Sequence, residues 1–184
     1  MSTRVPTSAR TGVRTRGRTS ARSWLMLLAF LGIAFGVAAF GSLTTIGAVN
    51  GWYAEVPHAA WTPPNWAFGA VWTVLYTLIA VSGWLVWLER GSVDTRVALG
   101  LYVVQLVLNA IWTPMFFGGY GLIGVPALWI ALVIILVLDL VVAATIVAFW
   151  RVSRPAALLL VPYLVWILYA SSLNWGDAVL VSLG

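Results

Sequence analysis

Cysteine is absent from the 184-residue chain, and so is lysine, which makes all ten basic residues arginines. Without cysteine, the chain forms no disulfide and offers no thiolate metal ligand or cysteine nucleophile. The single histidine, His58, belongs to no cluster of histidines and carboxylates that would predict a metal site. A glycine-rich phosphate loop and a Ser/His/Asp set are also missing. These absences argue against a hydrolase or a kinase, and we expect no metal and no obligatory cofactor.

Charged residues are scarce, at 8% of the chain, whereas soluble domains carry about 25%. Hydrophobic residues make up 62%, and the mean hydropathy is +0.99. Because a helix needs about 20 apolar residues to cross a bilayer, the apolar runs predict five spans, at about 24–46, 66–88, 97–117, 122–149 and 155–175. Lipid cannot satisfy free backbone groups, so we predict an all-α membrane protein, a five-transmembrane-helix bundle. The fourth run is so long that it must tilt, kink near Pro126 or extend beyond the hydrocarbon.

The arginines predict the orientation of this bundle. Six of them lie within the first 22 residues among Ser, Thr and Gly, so residues 1–23 are predicted to be a disordered basic tail on an anionic membrane surface. No aromatic platform accompanies the tail, and we expect no nucleic-acid partner. The other four are Arg90, Arg96, Arg151 and Arg154, in alternate loops of the remaining domain, 24–184. The positive-inside rule then predicts a cytoplasmic N-terminus, with the loop from Gly47 to Asn65 outside.

Polar side chains inside apolar spans are the candidates for function. On the third predicted span, Gln105, Asn109 and Thr113 recur at every fourth residue and therefore share one face. Trp112 lies beside them. Such amides either join neighbouring helices or line an internal cavity, and three in register favour the cavity. Asp139 is the one carboxylate well inside a span, which makes it a candidate for ligand or proton binding.

The second and fifth predicted spans carry aromatic residues that complete such a cavity. These residues are Trp66, Trp72 and Tyr76 in the second span, and Trp166, Ala170, Leu173 and Asn174 in the fifth. A mostly apolar, aromatic cavity with a few amides is typical of a site for a flat hydrophobic ligand. We therefore expect the second, third and fifth spans to form the wall of the cavity, and the first and fourth to be mainly structural.

Three segments are more specific than membrane character alone. They read WYAEVPHAAWTPPNWAFGAVWTVLYTLIAVSGWLVW (52–87), QLVLNAIWTPMFF (105–117) and FWRVSRPAALLLVPYLVWILYASSLNW (149–175). They resemble the signature blocks of the TspO/MBR family, the tryptophan-rich sensory proteins and translocator proteins once called peripheral benzodiazepine receptors. The resemblance implies a five-helix bundle, usually a homodimer, that binds tetrapyrroles such as protoporphyrin IX or haem-like molecules in a pocket under the first outer loop.

The resemblance also implies which residues form the pocket. The positions that match are Tyr53, Trp66, Trp72, Asn109, Trp112, Trp166, Ala170 and Leu173, to which the helix faces add Gln105 and Asn174. Two of them, Trp72 and Trp166, match the pair linked in bacterial relatives to light-dependent porphyrin breakdown. The chain departs from the family where a Lys-Pro pair is common, since it has His58 and Ala59 there. It also lacks the Arg of the family's C-terminal cholesterol pattern, which argues against sterol recognition.

Three functional hypotheses follow. The first is a non-enzymatic receptor or sensor that binds a tetrapyrrole, as an integral multi-pass protein of a bacterial cell membrane. The second is an enzyme in which Trp72 and Trp166 act on photoexcited porphyrin in the presence of oxygen. The third is a transporter of hydrophobic small molecules, for which Asp139 is the only support, because the inverted repeats common in secondary transporters are missing.

Overall fold

A computed structural model describes residues 21–184, so most of the predicted basic tail lies outside the described residues. Within this range the chain forms seven α-helices, one short 3-10 helix at Glu89–Gly91, and no strand. The five long helices are α1 (Ala21–Val49), α3 (Asn65–Leu88), α4 (Arg96–Phe117), α6 (Val125–Trp150) and α7 (Arg154–Leu183). Two single-turn helices, α2 (Trp52–Glu55) and α5 (Tyr120–Ile123), lie in the loops that follow α1 and α4. All five long helices are long and apolar enough to cross a membrane, which confirms the predicted bundle.

Helix α1 begins at Ala21, so residues 21–23 of the predicted disordered tail are helical. The other boundaries differ most from the predicted runs in two places. The fourth run does not form one helix that kinks at Pro126. Gly124 adopts a positive φ of 68° and separates α5 from α6, and Pro126 lies in the first turn of α6, where proline is tolerated. The fifth long helix, α7, continues to Leu183, well past the predicted end of the fifth run at residue 175. The added turns include Asp177, which is buried and accepts a hydrogen bond from the loop before α3. This tertiary contact pairs a carboxylate that hydropathy alone would exclude from a membrane span.

The five long helices form a closed ring in the order α1, α3, α7, α6 and α4, since each of them packs against two neighbours in this order. The described arginines Arg22, Arg90, Arg96, Arg151 and Arg154 lie at the ends of helices on one side of the bundle, which we call the arginine end. The opposite side carries α2 and the residues up to Pro64, and we call it the loop end. Large apolar side chains such as Leu43 (76% exposed) and Leu140 (72% exposed) face outward, as contact with lipid requires.

Helix α1 packs differently at the two ends of the ring, and this difference creates the cavity. Near the arginine end it lies against α3, where a Cβ added to Gly83 would come within 2.8 Å of the Phe30 ring and the Trp84 indole N–H donates to the Ser23 carbonyl. Near the loop end it lies against α4, where a Cβ on Gly41 would approach Thr113 to 3.0 Å. Since Phe30 of α1 also packs on Tyr102 of α4 near the arginine end, α1 keeps its contact with α4 and separates from α3 towards the loop end, where space remains.

Candidate functional site

A cavity of about 600 Å³ occupies this space between α1, α3, α4 and α7, with α2 at its loop end. Its volume falls within the range of about 300–1,000 Å³ that is usual for small-molecule sites. Nine aromatic residues line it: Phe35, Tyr53, Phe68, Trp72, Tyr76, Trp112, Phe116, Phe117 and Trp166. The described part of the chain therefore contains a partly open, aromatic-rich site of the size of an organic ligand.

Stacked pairs of rings give the cavity flat surfaces. Trp72 stacks on Tyr76 with centroids 5.3 Å apart and an angle of 30° between the planes. Trp112 stacks on Phe116 at 6.0 Å and 27°. The Trp72 and Trp112 rings are themselves 6.4 Å apart, so the two stacks form neighbouring parts of one wall. A planar aromatic molecule could lie against these faces with the offset geometry that aromatic pairs prefer.

Asn109 anchors the floor of the cavity. Its carboxamide oxygen accepts a hydrogen bond from the Tyr76 hydroxyl at 2.7 Å, and its Nδ2 donates to the Tyr163 hydroxyl at 3.0 Å. Because the three residues belong to α4, α3 and α7, the amide ties three helices together. Asn109 is only 1% exposed, and it lies behind Tyr76 instead of at the cavity surface.

A second buried amide holds Trp112 in place. The Trp112 indole N–H donates to the side-chain oxygen of Asn174 at 3.2 Å, and the Asn174 Nδ2 donates to the Leu128 carbonyl at 2.9 Å. By contrast, the indole nitrogen of Trp166 is buried and has no hydrogen-bond partner among residues 21–184. Trp166 lines the cavity as a residue, but its indole nitrogen is covered by protein and is not at the cavity surface.

Residues 50–64, between α1 and α3, form a roof over the loop end of the cavity, and hydrogen bonds attach this roof to the neighbouring helices. The Trp52 indole N–H donates to the Phe117 carbonyl at 2.8 Å, and the Trp52 ring stacks on Tyr120 at 4.1 Å. The Tyr169 hydroxyl donates to the Trp61 carbonyl at 2.7 Å. Burial, followed by the nearby carboxylate of Asp177, raises the pKa of the Tyr53 phenol, which therefore remains protonated at neutral pH.

Most of the predicted ligand-binding residues meet in this cavity. Those that line it are Tyr53, Trp72, Trp112, Trp166, Ala170, Leu173 and Asn174. Three others do not: Trp66 is 75% exposed on the outside of α3, Asn109 lies beneath the floor, and Gln105 is buried deeper in the bundle. Asp139 also lies away from the cavity, where it accepts a hydrogen bond from Ser171 at 2.8 Å. The roles of these four residues in ligand binding stay predictions.

Helix α1 forms a large part of the wall, in contrast to the expectation that the first span is mainly structural. Its contribution includes the ring of Phe35 and the small residues Ala38, Gly41, Ser42 and Thr45. The sequence contained a signal, because Gly, Ser and Thr cluster between positions 41 and 45 of an otherwise aliphatic span. Small residues in membrane helices usually indicate close helix contacts, which Gly41 does make, and only the tilt of α1 turns its neighbours towards a cavity.

Comparison with known proteins agrees with this architecture. The sequence model of the TspO/MBR family matches residues 28–179. The chain is 42% identical over 149 residues to the tryptophan-rich protein TspO of Archaeoglobus fulgidus, covering 81% of this chain and 90% of that protein. It is 37% identical over 155 residues to the tryptophan-rich sensory protein of Cereibacter sphaeroides, covering 83% and 89%. It is 43% identical over 126 residues to the human translocator protein, covering 67% and 71%. With five apolar helices and a match over most of its length, this integral, multi-pass membrane protein belongs to the TspO/MBR family.

Proposed function

We propose that this protein is a membrane receptor or sensor that binds a tetrapyrrole such as protoporphyrin IX in the cavity at the loop end. The observation that carries the proposal is the aromatic-rich cavity of about 600 Å³, whose stacked rings suit a flat apolar molecule. Family membership supports it, because relatives are named translocator protein and tryptophan-rich sensory protein. The Trp166 ring would add a further aromatic surface to this wall.

The distribution of polar residues predicts how such a ligand would be oriented. Asn50 and Asn65 line the cavity at the loop end, where both are exposed. Protoporphyrin IX carries carboxylates on one edge of its ring, and these groups lose hydration free energy if they enter an apolar site. We therefore expect the carboxylates to lie near Asn50 and Asn65, with the apolar edge of the ring directed towards the Asn109 floor.

Titration of the purified protein with protoporphyrin IX tests the proposal, with the absorbance of the porphyrin as the readout. Trp166→Phe replaces the indole by a smaller ring, and the loss of about 0.5–1.5 kcal/mol of aromatic contact should weaken binding by about 2- to 10-fold. Trp129→Phe is the matched control, because Trp129 lies outside the cavity and its indole N–H donates to Ser182. Absence of saturable binding to the wild-type protein would sink the proposal, and equal affinities of both variants would remove the role of Trp166.

Light-dependent breakdown of the bound porphyrin is a second candidate function. The observation that favours it is that Trp72 and Trp166, the two tryptophans expected to react, line the same cavity. Illumination of the complex in air distinguishes the two functions. An enzyme should form a defined product at a rate that falls when both tryptophans become Phe, whereas a receptor should show slow bleaching that survives these changes.

The orientation and assembly of the protein form the rest of the proposal. The arginine end would face the cytoplasm of a bacterial cell, because Arg90, Arg96, Arg151 and Arg154 lie there, and the roof of the cavity would face outward. A homodimer is expected from the family. A reporter fused after Gly184 should then be active only on the outer side, and cytoplasmic activity would reverse the orientation.

A further inference from the structure

The residues that line the cavity differ in exposure from helix to helix. Those of α4 and α7 are all buried or half-buried, whereas α1 and α3 contribute exposed ones. The exposed lining residues are Phe35, Ala39, Ser42 and Ile46 on α1, Asn50 directly after it, and Asn65, Gly69 and Thr73 on α3. Because a residue that lines a cavity and is also exposed lies at its mouth, the cavity opens sideways between α1 and α3. We call this gap the side opening.

Each edge of the side opening follows one face of a helix. On α1 the exposed lining positions are spaced by four, three and four residues, and on α3 by four and four, which places each set on one face. At about 1.5 Å per residue, the edge from 35 to 46 is about 17 Å long, and the edge from 65 to 73 is about 12 Å long. The side opening is therefore long enough to admit a flat molecule edge on.

The surface around the side opening suits contact with lipid. Leu43 and Val74, which lie next to its two edges, are both more than half exposed. The hydroxyl groups of Ser42 and Thr73 donate to carbonyls one turn earlier in their own helices, at 2.9 Å and 2.8 Å. Since these hydroxyl groups are already paired, they do not need water. The loop-end half of the bilayer can therefore reach the cavity without leaving these polar groups unsatisfied.

Contacts close the other sides of the cavity. Towards α4, a Cβ added to Gly41 would approach Thr113 to 3.0 Å. Towards α7, the Phe68 ring packs edge-on against Trp166 with centroids 5.9 Å apart. At the loop end, hydrogen bonds attach the roof to α4 and α7. Among the described residues, the side-chain hydrogen bond and the ring stacking that join α1 to α3 lie at the arginine end, away from the side opening.

We propose that the side opening is the entrance of the cavity, through which a flat apolar ligand dissolved in the membrane passes directly from lipid into the site. This route avoids exposing the apolar ring to water on the way. Asn50 and Asn65 lie at the loop end of the two edges, where polar groups of such a ligand can stay hydrated while its ring moves inward. The roof then need not open for the ligand to bind.

An obstacle at the side opening tests this route through the rates of binding. Gly69→Leu adds a side chain at a position where nothing lies within 4 Å of an added Cβ, so the helices need not repack. A narrower entrance raises the barrier in both directions. We expect protoporphyrin IX to associate and to dissociate at least about threefold more slowly in liposomes, measured by stopped-flow absorbance. A clash with the bound ligand would speed dissociation, so slower dissociation is specific to an entrance.

Two control variants carry the same added bulk elsewhere. Gly100→Leu is the matched control, because Gly100 is an exposed helical glycine of α4 with nothing within 4 Å and lies outside the cavity. Ala60→Leu adds bulk to the exposed roof. Both should keep the wild-type rates. Dissociation from Gly69→Leu that is as fast as from the wild type, or equal slowing in either control, would overturn the proposal.

A measurement without ligand tests the side opening by itself. Since the chain contains no cysteine, Thr45→Cys places a single spin label in the cavity. Oxygen concentrates in hydrocarbon and a nickel chelate stays in water, so the relaxation that each causes reports which phase reaches the label. We expect oxygen to dominate, as for Leu43→Cys on the lipid face, and the nickel chelate to dominate for Ala60→Cys on the roof. A Thr45→Cys label that responds mainly to nickel, or to neither reagent, would refute the side opening.

The proposal rests on the proposed function only in that the cavity is the ligand site. If protoporphyrin IX does not bind but oxygen reaches the Thr45→Cys label, the tetrapyrrole proposal fails and the side opening stands. If the porphyrin binds and Gly69→Leu leaves its rates unchanged, the entrance fails and the binding site stands. The two failures therefore give different results.

Discussion

Replacement of Asn109 by leucine tests whether the amide beneath the cavity holds three helices together. Leucine has a similar size but removes both hydrogen bonds, the one from Tyr76 at 2.7 Å and the one to Tyr163 at 3.0 Å. Hydrogen bonds between helices in membranes contribute about 0.6 kcal/mol on average and about 1.7 kcal/mol at most. Two such bonds predict that Asn109→Leu lowers the free energy of unfolding by about 1–3 kcal/mol.

A large part of this loss should come from the hydroxyl groups that remain without their partner. Tyr163 is fully buried and Tyr76 is 5% exposed, so water cannot easily replace the amide. Removing the hydroxyl groups as well, with Tyr76→Phe and Tyr163→Phe in the Asn109→Leu background, should restore part of the lost stability. The same two substitutions in the wild-type background should lower stability, because there they break satisfied hydrogen bonds.

Unfolding in mixed detergent micelles, followed by circular dichroism, measures these free energies. The four proteins of the cycle are the wild type, Asn109→Leu, the double Phe variant and the combination of all three changes. The explanation requires that the combined variant is more stable than the sum of the two separate losses in unfolding free energy would predict. If the effects simply add, or if Asn109→Leu changes stability by less than about 0.5 kcal/mol, the amide does not cross-link the helices as described.

The remaining predictions add atoms at Gly83, which is closely packed, and at Ala170, which lines the cavity, each compared with a control position. Gly83→Ala should lower stability by about 1–3 kcal/mol, because its Cβ would lie 2.7 Å from the Tyr102 ring, whereas Gly32→Ala should be neutral or stabilising, since nothing lies within 4 Å of that position. Equal unfolding midpoints for these two variants would contradict the packing at Gly83. Ala170→Leu should weaken porphyrin binding by at least tenfold by filling the cavity, and Ala144→Leu, on an exposed part of α6, should leave the affinity unchanged. A porphyrin that binds both variants equally well must lie elsewhere.

The fold could be predicted largely from the sequence, because lipid leaves few alternatives to a long apolar run. The ends of the spans were harder to predict. Hydropathy ends the fifth span near Trp175, since Gly176 and Asp177 follow, but the helix continues because Asp177 bonds to the loop. Gly124 and Pro126 likewise stop and restart a segment that hydropathy reads as continuous.

The cavity could be predicted in part. Trp72, Trp112 and Trp166 were identified correctly as residues that lie together, since helical spacing and the family motifs both indicate them. Trp66 was placed with them, but it is 75% exposed, six residues before Trp72 and therefore on another face of α3. The sequence also could not separate Asn109, which ties helices together, from Asn174, which lines the cavity, because both are single amides in apolar spans.

By itself, the sequence determined the number of spans, the helical fold, the end of the bundle that carries the arginines, and the family. These properties depend on hydropathy, charge and motifs, all of which are local. The tertiary structure decided that α1 separates from α3 towards the loop end, which leaves room for the cavity, and that His58 meets Asp177 across the roof. Both depend on how distant segments pack, since a tilt follows from contacts at both ends of a helix and this contact joins two side chains 119 positions apart.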